Sequence, residues 1–238
     1  MRPSRKKIYK NTLVLISIIL VISILILNIK IPTSGTYVFD DTLISQIKNK
    51  TNNYILIEDV PDNLKNAIIS TEDKRFNYHF GIDPIAIARA TYLNIKNKEI
   101  VQGASTITQQ LAKNLFLSND RNFTRKFKEM ILALQIEKEY SKDEILEMYL
   151  NVIYLGSDSY GIGDASKNYF DKKVSDLSLS ECALIAGLPQ APSLYDPTVN
   201  FEAAKKRQEE VLRLMEKNRF IDKSRLIDAI DSSIAIFK

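Results

Sequence analysis

Disulfide cross-linking, a histidine-built metal centre and global basicity are all excluded by what this 238-residue chain lacks. Its single cysteine, Cys182, has no partner for an intrachain bridge, and the neighbours Ala183, Leu184, Ile185 and Ala186 mark it as a buried apolar thiol. With one histidine, His79, and no cysteine cluster, a His-rich zinc site cannot be assembled. Acidic residues are missing from residues 1–30, which carry six of the 33 basic residues and none of the 29 acidic ones. The remainder therefore holds 27 basic against 29 acidic residues, so the net charge of +4 is confined to one end and no nucleic-acid binder is indicated.

Charge is also absent between Lys10 and Lys30, where Leu13 to Leu27 is interrupted only by Ser17 and Ser23. Such a run crosses a hydrocarbon core of about 30 Å at about 1.5 Å per residue. A cleaved signal peptide is the competing reading, but Asn28-Ile29-Lys30-Ile31-Pro32-Thr33 offers no small-x-small cleavage site. Arg2, Arg5, Lys6, Lys7 and Lys10 precede the run, which places the N-terminus in the cytoplasm and the rest outside. The expected organisation is a basic tail (1–11), a single-pass cell-membrane helix (12–29), a juxtamembrane linker (30–57), a globular domain (58–200) and C-terminal helices of that domain (201–238).

Within the linker, Tyr54-Ile55-Leu56-Ile57 has the composition of a short strand. Beyond it the pattern is helical. Pro61 opens a helix to about Asp73, and Asp83 followed by Pro84 gives an N-cap and a favoured first position for one to about Lys96. Ser105 or Thr106 caps a third to Phe116, Thr124 to Lys138 forms a fourth, and Ser141 with Glu144 is a capping box for a fifth. Shorter helices are expected at Asp164 to Phe170, Leu179 to Gly187, Phe201 to Asn218 and Ser224 to Ile230, with an extended loop at Pro189-Gln190-Ala191-Pro192.

Three segments carry chemistry. Gly103 to Asn114 is rich in hydroxyls and amides with one charge, Lys113, a composition that suits neither a core helix nor a solvated one. Its small N-terminal residues Gly103-Ala104-Ser105 could present free N–H groups to an anion. Glu72, where the first of these helices ends, can serve as a general base if burial tunes it, though read alone it also fits a surface residue. If the helix expected from Thr124 extended back to Arg121, offsets of four, seven and eight would place Arg121, Arg125, Lys128 and Glu129 on one face. Three cations and a carboxylate can hold a diphosphate, or pair with one another on a solvated face.

Taken together these segments resemble the peptidoglycan glycosyltransferases of family 51. Glu72-Asp73-x-x-Phe76-x-x-His79-x-Gly81-x-Asp83, Gly103 to Leu115, Arg125-Lys126-x-x-Glu129 with Lys142 to Asn151, Gly156 to Phe170, and Leu179 to Pro192 follow the family's motif order. Two departures stand out. Ala104 replaces a usual second glycine, and Gly163-Asp164 replaces a usual Glu or Gln followed by Ala.

The resemblance implies a mostly α, lysozyme-like glycosyltransferase domain with a membrane-proximal subdomain and one N-terminal transmembrane helix. It also implies polymerisation of lipid II into β-1,4-linked glycan with inversion and release of polyprenyl diphosphate. Glu72 and Glu129 would be catalytic. Asp73, Phe76, Ser105, Gln109, Gln110, Lys113, Asn114, Arg121, Arg125 and Lys128 would bind substrate. Glu129 could hold a divalent cation, Mg or Mn, and no organic cofactor is implied. Partners would be lipid II, the growing strand, the cell membrane, transpeptidases and division or elongation proteins. Without a Lys-Thr-Gly motif, and with Ser45-x-x-Lys48 isolated in the linker, a monofunctional enzyme is expected. Two alternatives stand beside it, a lysozyme-like hydrolase or lytic transglycosylase and a non-catalytic lipid II-binding scaffold.

Overall fold

The computed structural model describes residues 36–99, 103–117 and 123–237. The expected transmembrane helix and basic tail lie outside these residues, as does Arg121. Among the described residues no helix is long and apolar enough to cross a membrane.

The described residues form ten α-helices joined by short 3-10 turns, with two isolated β-bridges and no strands. In chain order these are α1 (Leu43–Lys50), α2 (Asp62–Glu72), α3 (Pro84–Asn97), α4 (Ile107–Phe116) and α5 (Phe123–Glu139), then α6 (Lys142–Val152), α7 (Ile162–Phe170), α8 (Leu179–Gly187), α9 (Phe201–Lys217) and α10 (Lys223–Asp231). Most boundaries follow local chemistry. Asp83 accepts from Ala86 N–H at the start of α3, and Thr106 with Gln109, Ser141 with Glu144 and Ser178 with Glu181 close capping boxes on α4, α6 and α8.

The hydrophobic core gathers around α8, whose Cys182, Ala183, Ile185 and Ala186 are fully buried. This helix packs against α2 and α9, while α4 packs against α5 and α6. Burial pushes the Cys182 thiol up to about 12, which leaves it an inert core residue.

Residues 36–57 do not behave as a free linker in the structure. Leu43 and Ile47, one helical turn apart on α1, are fully buried, and Phe39 meets Phe116 edge-on at 5.6 Å. The sequence pattern of α1 is thin because only these two of its side chains are fully buried, in a segment otherwise rich in Asn and Lys. The expected strand at Tyr54-Ile55-Leu56-Ile57 is absent. Ile55 pairs its N–H and C=O with the Asn151 side chain at 2.8 Å each, so these backbone groups are satisfied without a neighbouring strand. Tyr54 and Ile57 both donate to Glu147, fastening the segment to α6. The expected extended loop at Pro189–Pro192 begins instead as a 3-10 turn over Leu188–Gln190, followed by Ala191 at φ −156° and ψ 75°.

A close approach explains Gly163. A Cβ there would stand 2.1 Å from the Asn53 carbonyl oxygen, and Asn53 Nδ2 donates to Asp164 Oδ1 at 2.6 Å. The Asn53 backbone thus occupies the place of a side chain at 163. Gly163→Ala should destabilise the protein by about 1–3 kcal/mol through overpacking, readable as a lower denaturant midpoint with an unchanged slope.

Candidate active site

Glu72 is the last residue of α2, and the chain leaves the helix at Asp73 into a loop that returns to the start of α4. That loop is stapled from both sides. Asp73 Oδ2 accepts from His79 Nε2 at 2.8 Å and from Ile107 N–H at 3.1 Å, while Thr106 Oγ1 donates to the Gly81 carbonyl at 2.7 Å. Gly81 has φ +77° and a Cβ there would lie 2.8 Å from Ala133 O, so the loop can press on α5 only with glycine at this point.

These contacts set one wall of a cavity of about 620 Å³. Glu72, Lys74 and Arg75 line it from the end of α2, Ala86 and Arg89 from α3, and Gly103 to Thr106 with Gln110 from the loop and body of α4. Gln190 and the α9 residues Arg207, Leu214 and Lys217 close the far side.

Glu72 Oε2 accepts from Gln110 Nε2 at 2.8 Å, and Gln110 Oε1 in turn accepts from Tyr149 at 3.1 Å. Burial pushes the Glu72 carboxyl above its ordinary value, and the Asp73 charge adds to this. The Gln110 hydrogen bond, Arg207 and Lys113 oppose the rise without cancelling it. A carboxylate held at a cavity wall with a raised pKa has the properties of a proton acceptor.

The remaining residues singled out in the sequence divide by where their side chains go. Ser105 lines the cavity and accepts from Lys126 Nζ at 2.8 Å. Lys113 is half-buried and its charge reaches Glu72. Asn114 is exposed and Lys128 half-buried, and neither lines the cavity. Asp73 spends its carboxylate on His79 and Ile107, Gln109 closes the capping box with Thr106, and Phe76 is buried in the core beneath Lys142 Nζ at 4.5 Å. At the N-terminus of α4, Asp73 takes the Ile107 N–H and the Thr106 side chain takes that of Gln109.

Glu129 is buried and accepts from Arg125 and from Lys126 Nζ, the latter at 2.8 Å. Both oxygens serve cations, and among the described residues no group of three or more His, Cys, Asp or Glu side chains could hold a metal. A Mg or Mn ion here would have Glu129 as its protein carboxylate in place of one of these cations, and would draw its other oxygen ligands from substrate phosphates and water.

The sequence reading assigned no role to the cations that line the cavity. Arg75 pairs with Asp83 at 2.7 Å. Burial raises the Asp83 pKa, but the Ala86 N–H and Arg75 outweigh it and hold the carboxyl below its usual range. Burial first, then the charges of Arg89, Arg75 and Lys217, push the Lys74 ammonium pKa down. Cations crowded closely enough to depress the Lys74 pKa favour an anionic ligand between them. Lys74 and Arg75 adjoin Glu72 in sequence and were legible there. Arg207 and Lys217 come from an ordinary amphipathic helix far along the chain, and no local signal marks them.

A protein-family model described as Transglycosylase matches residues 40–216. The chain is 46% identical over 185 residues to penicillin-binding protein 1A of Aquifex aeolicus (strain VF5), covering 78% of this chain and 26% of that protein. Against penicillin-binding protein 1A of Neisseria gonorrhoeae the identity is 48% over 185 residues, 78% of this chain and 23% of the relative. For the Vibrio cholerae protein of the same name it is 49% over 185 residues, with coverages of 78% and 22%. A crystal structure of penicillin-binding protein 1A from Haemophilus influenzae matches with a TM-score of 0.48 and 28% identity, over 78% of this chain and 18% of that one. The chain thus spans about a quarter of the length of the curated relatives it matches.

Proposed function

Because the chain belongs to the transglycosylase family, glycosyltransferase family 51, we propose that it joins lipid II units into β-1,4-linked glycan and releases polyprenyl diphosphate. The observation that carries the proposal is Glu72, a carboxylate with a raised pKa on the wall of a cavity lined by cations. In this reading the acceptor sugar's 4-hydroxyl attacks the anomeric carbon of the donor. A carbon–oxygen bond forms there as the bond to the diphosphate breaks on the opposite face, so the anomeric configuration inverts. The hydroxyl proton passes to Glu72. Negative charge accumulates on the departing diphosphate, where Lys113, whose charge reaches Glu72, and the cations that line the cavity, Lys74, Arg75, Arg89, Arg207 and Lys217, would stabilise it. Ser105 and Gln110 would meet sugar or phosphate oxygens, being the hydroxyl and amide that line the cavity.

The cations also separate this reaction from glycan hydrolysis. Cutting a neutral glycosidic bond frees no diphosphate, so a hydrolase has no use for such a wall.

A lipid-linked substrate has to be met at a bilayer. The charge-free run Leu13 to Leu27 would supply a single-pass anchor with the N-terminus in the cytoplasm and the catalytic domain outside. On α3, Ile85, Tyr92 and Ile95 are 65%, 64% and 72% exposed and fall on one side of the helix, next to the side that presents Arg89 to the cavity. Such a face suits contact with lipid.

Purified protein given lipid II should form polymer, and finished peptidoglycan should pass unchanged. Cleavage of peptidoglycan without polymer formation would refute the reading. Lys113→Ala should lower turnover about 10²-fold, as expected for losing one preorganised group at developing charge. Unchanged turnover together with unchanged affinity for lipid diphosphates would remove Lys113 from the site.

A further inference from the structure

Tyr149 is fully buried on α6, outside the cavity lining, and none of the chemistry above uses it. Its hydroxyl donates to Gln110 Oε1 at 3.1 Å, and Gln110 Nε2 donates to Glu72 Oε2 at 2.8 Å. We propose that Tyr149 is a positioning residue, whose hydroxyl fixes which end of the Gln110 amide faces the base. The proposal rests on the reading of Glu72 as that base.

A glutamine side chain has an accepting end and a donating end, and the two are nearly interchangeable in shape. Which end meets Glu72 therefore depends on what holds the other. With Tyr149 donating to Oε1, the NH2 end is left for the carboxylate, where it favours the ionised form. The turned amide would present its oxygen to Glu72, which suits only the protonated acid. It would also take from the buried Tyr149 O–H the acceptor it uses, a cost that biases the amide toward the arrangement seen.

The phenol can keep this role at any working pH. Burial drives its pKa well above the usual value, and the nearby Glu72 and Asp73 charges push in the same direction. The other charged groups acting on Glu72 are Lys113 from α4, Arg207 from α9 and Asp73 beside it in the chain. Tyr149 is neutral at working pH, so replacing it with Phe removes no charge from that set.

The test is the pH dependence of lipid II polymerisation by the full chain. Tyr149→Phe keeps the ring and frees the amide to turn, which stabilises protonated Glu72. Its acidic limb should move to higher pH by roughly one unit, with the rate recovering toward wild type above the limb. Gln110→Met cuts the link from the other side and should move the limb in the same direction. In the Gln110→Met background, Tyr149→Phe should add nothing.

A folded Tyr149→Phe protein with a wild-type limb overturns the proposal. So does a further shift in the double variant. If Tyr149→Phe does not fold, an unmoved limb in Gln110→Met overturns it alone. Glu72→Gln run beside them keeps the two ideas apart: a fully active Glu72→Gln defeats the base itself, whereas an inactive Glu72→Gln with an unmoved Tyr149→Phe limb defeats only the positioning role.

Discussion

Glu72→Gln should lower lipid II polymerisation by about 10²- to 10⁴-fold, the usual loss on removing a well-placed general base, while the protein stays folded. The substitution changes little besides the proton-accepting oxygen. Glutamine matches the shape of glutamate, and its carbonyl can still accept from Gln110 Nε2, which now donates to Glu72 at 2.8 Å. Because burial already disfavours the charged carboxylate at this position, neutralising it should not weaken folding. An intact unfolding transition beside a collapsed polymerisation rate is the expected pair of results. Near-normal rates would end the assignment of Glu72 as the base.

The same environment fixes the sign of the pH effect in the wild type. The base works ionised, and burial favours its protonated form, so activity is lost as pH falls through a pKa higher than that of an ordinary glutamate. An acidic limb at or below the ordinary carboxylate range would contradict the burial seen here.

Asp73→Ala should show the largest loss of stability, about 3–5 kcal/mol. Asp73 is buried, and one of its oxygens receives both the His79 ring N–H and the Ile107 backbone N–H. Alanine leaves both donors without that acceptor, and it unfastens the loop after α2 from the helix that carries Gln110. Thermal or denaturant unfolding reads the effect. Asp73→Asn makes the prediction specific, since its amide oxygen can occupy the same position and accept from both donors. It should therefore retain most of the stability. If Asn and Ala were equally destabilising, the charge and not the two hydrogen bonds would be the important quantity.

The sequence made the helices legible because their ends carry their own instructions. Asp83, Thr106, Ser141 and Ser178 each cap the helix that follows, and a cap is a contact between residues three apart. Helix α1 has no side-chain cap and buries only two of its residues fully, so its pattern is too thin to read. The site was legible in part. Motif order pointed to Glu72, Ser105 and Gln110, which line the cavity, and to Asp73, which lines it while its carboxylate holds the loop to α4, but the same motifs also contain Phe76 and Gln109, whose side chains are buried to brace the loop and α4. A motif records that a residue type is needed and does not say whether it meets a ligand or its neighbours. Arg207 and Lys217 show the opposite case, as their place in the cavity depends on how α9 packs against α2 and α8.

The contact between Asn53 and Gly163 bears on how parts of this chain could be exchanged with those of a relative. The Asn53 carbonyl fills the volume that a larger residue at 163 would need, and the neighbouring amide is matched to Asp164. Residues 51–54 and 162–165 are thus a lock and key separated by more than a hundred positions. A chimaera that imports Glu or Gln at 163 without also replacing the segment around Asn53 would force a side chain into a carbonyl group. Recombination points between these two stretches should yield poorly folding hybrids, whereas transplanting both together should preserve the fit.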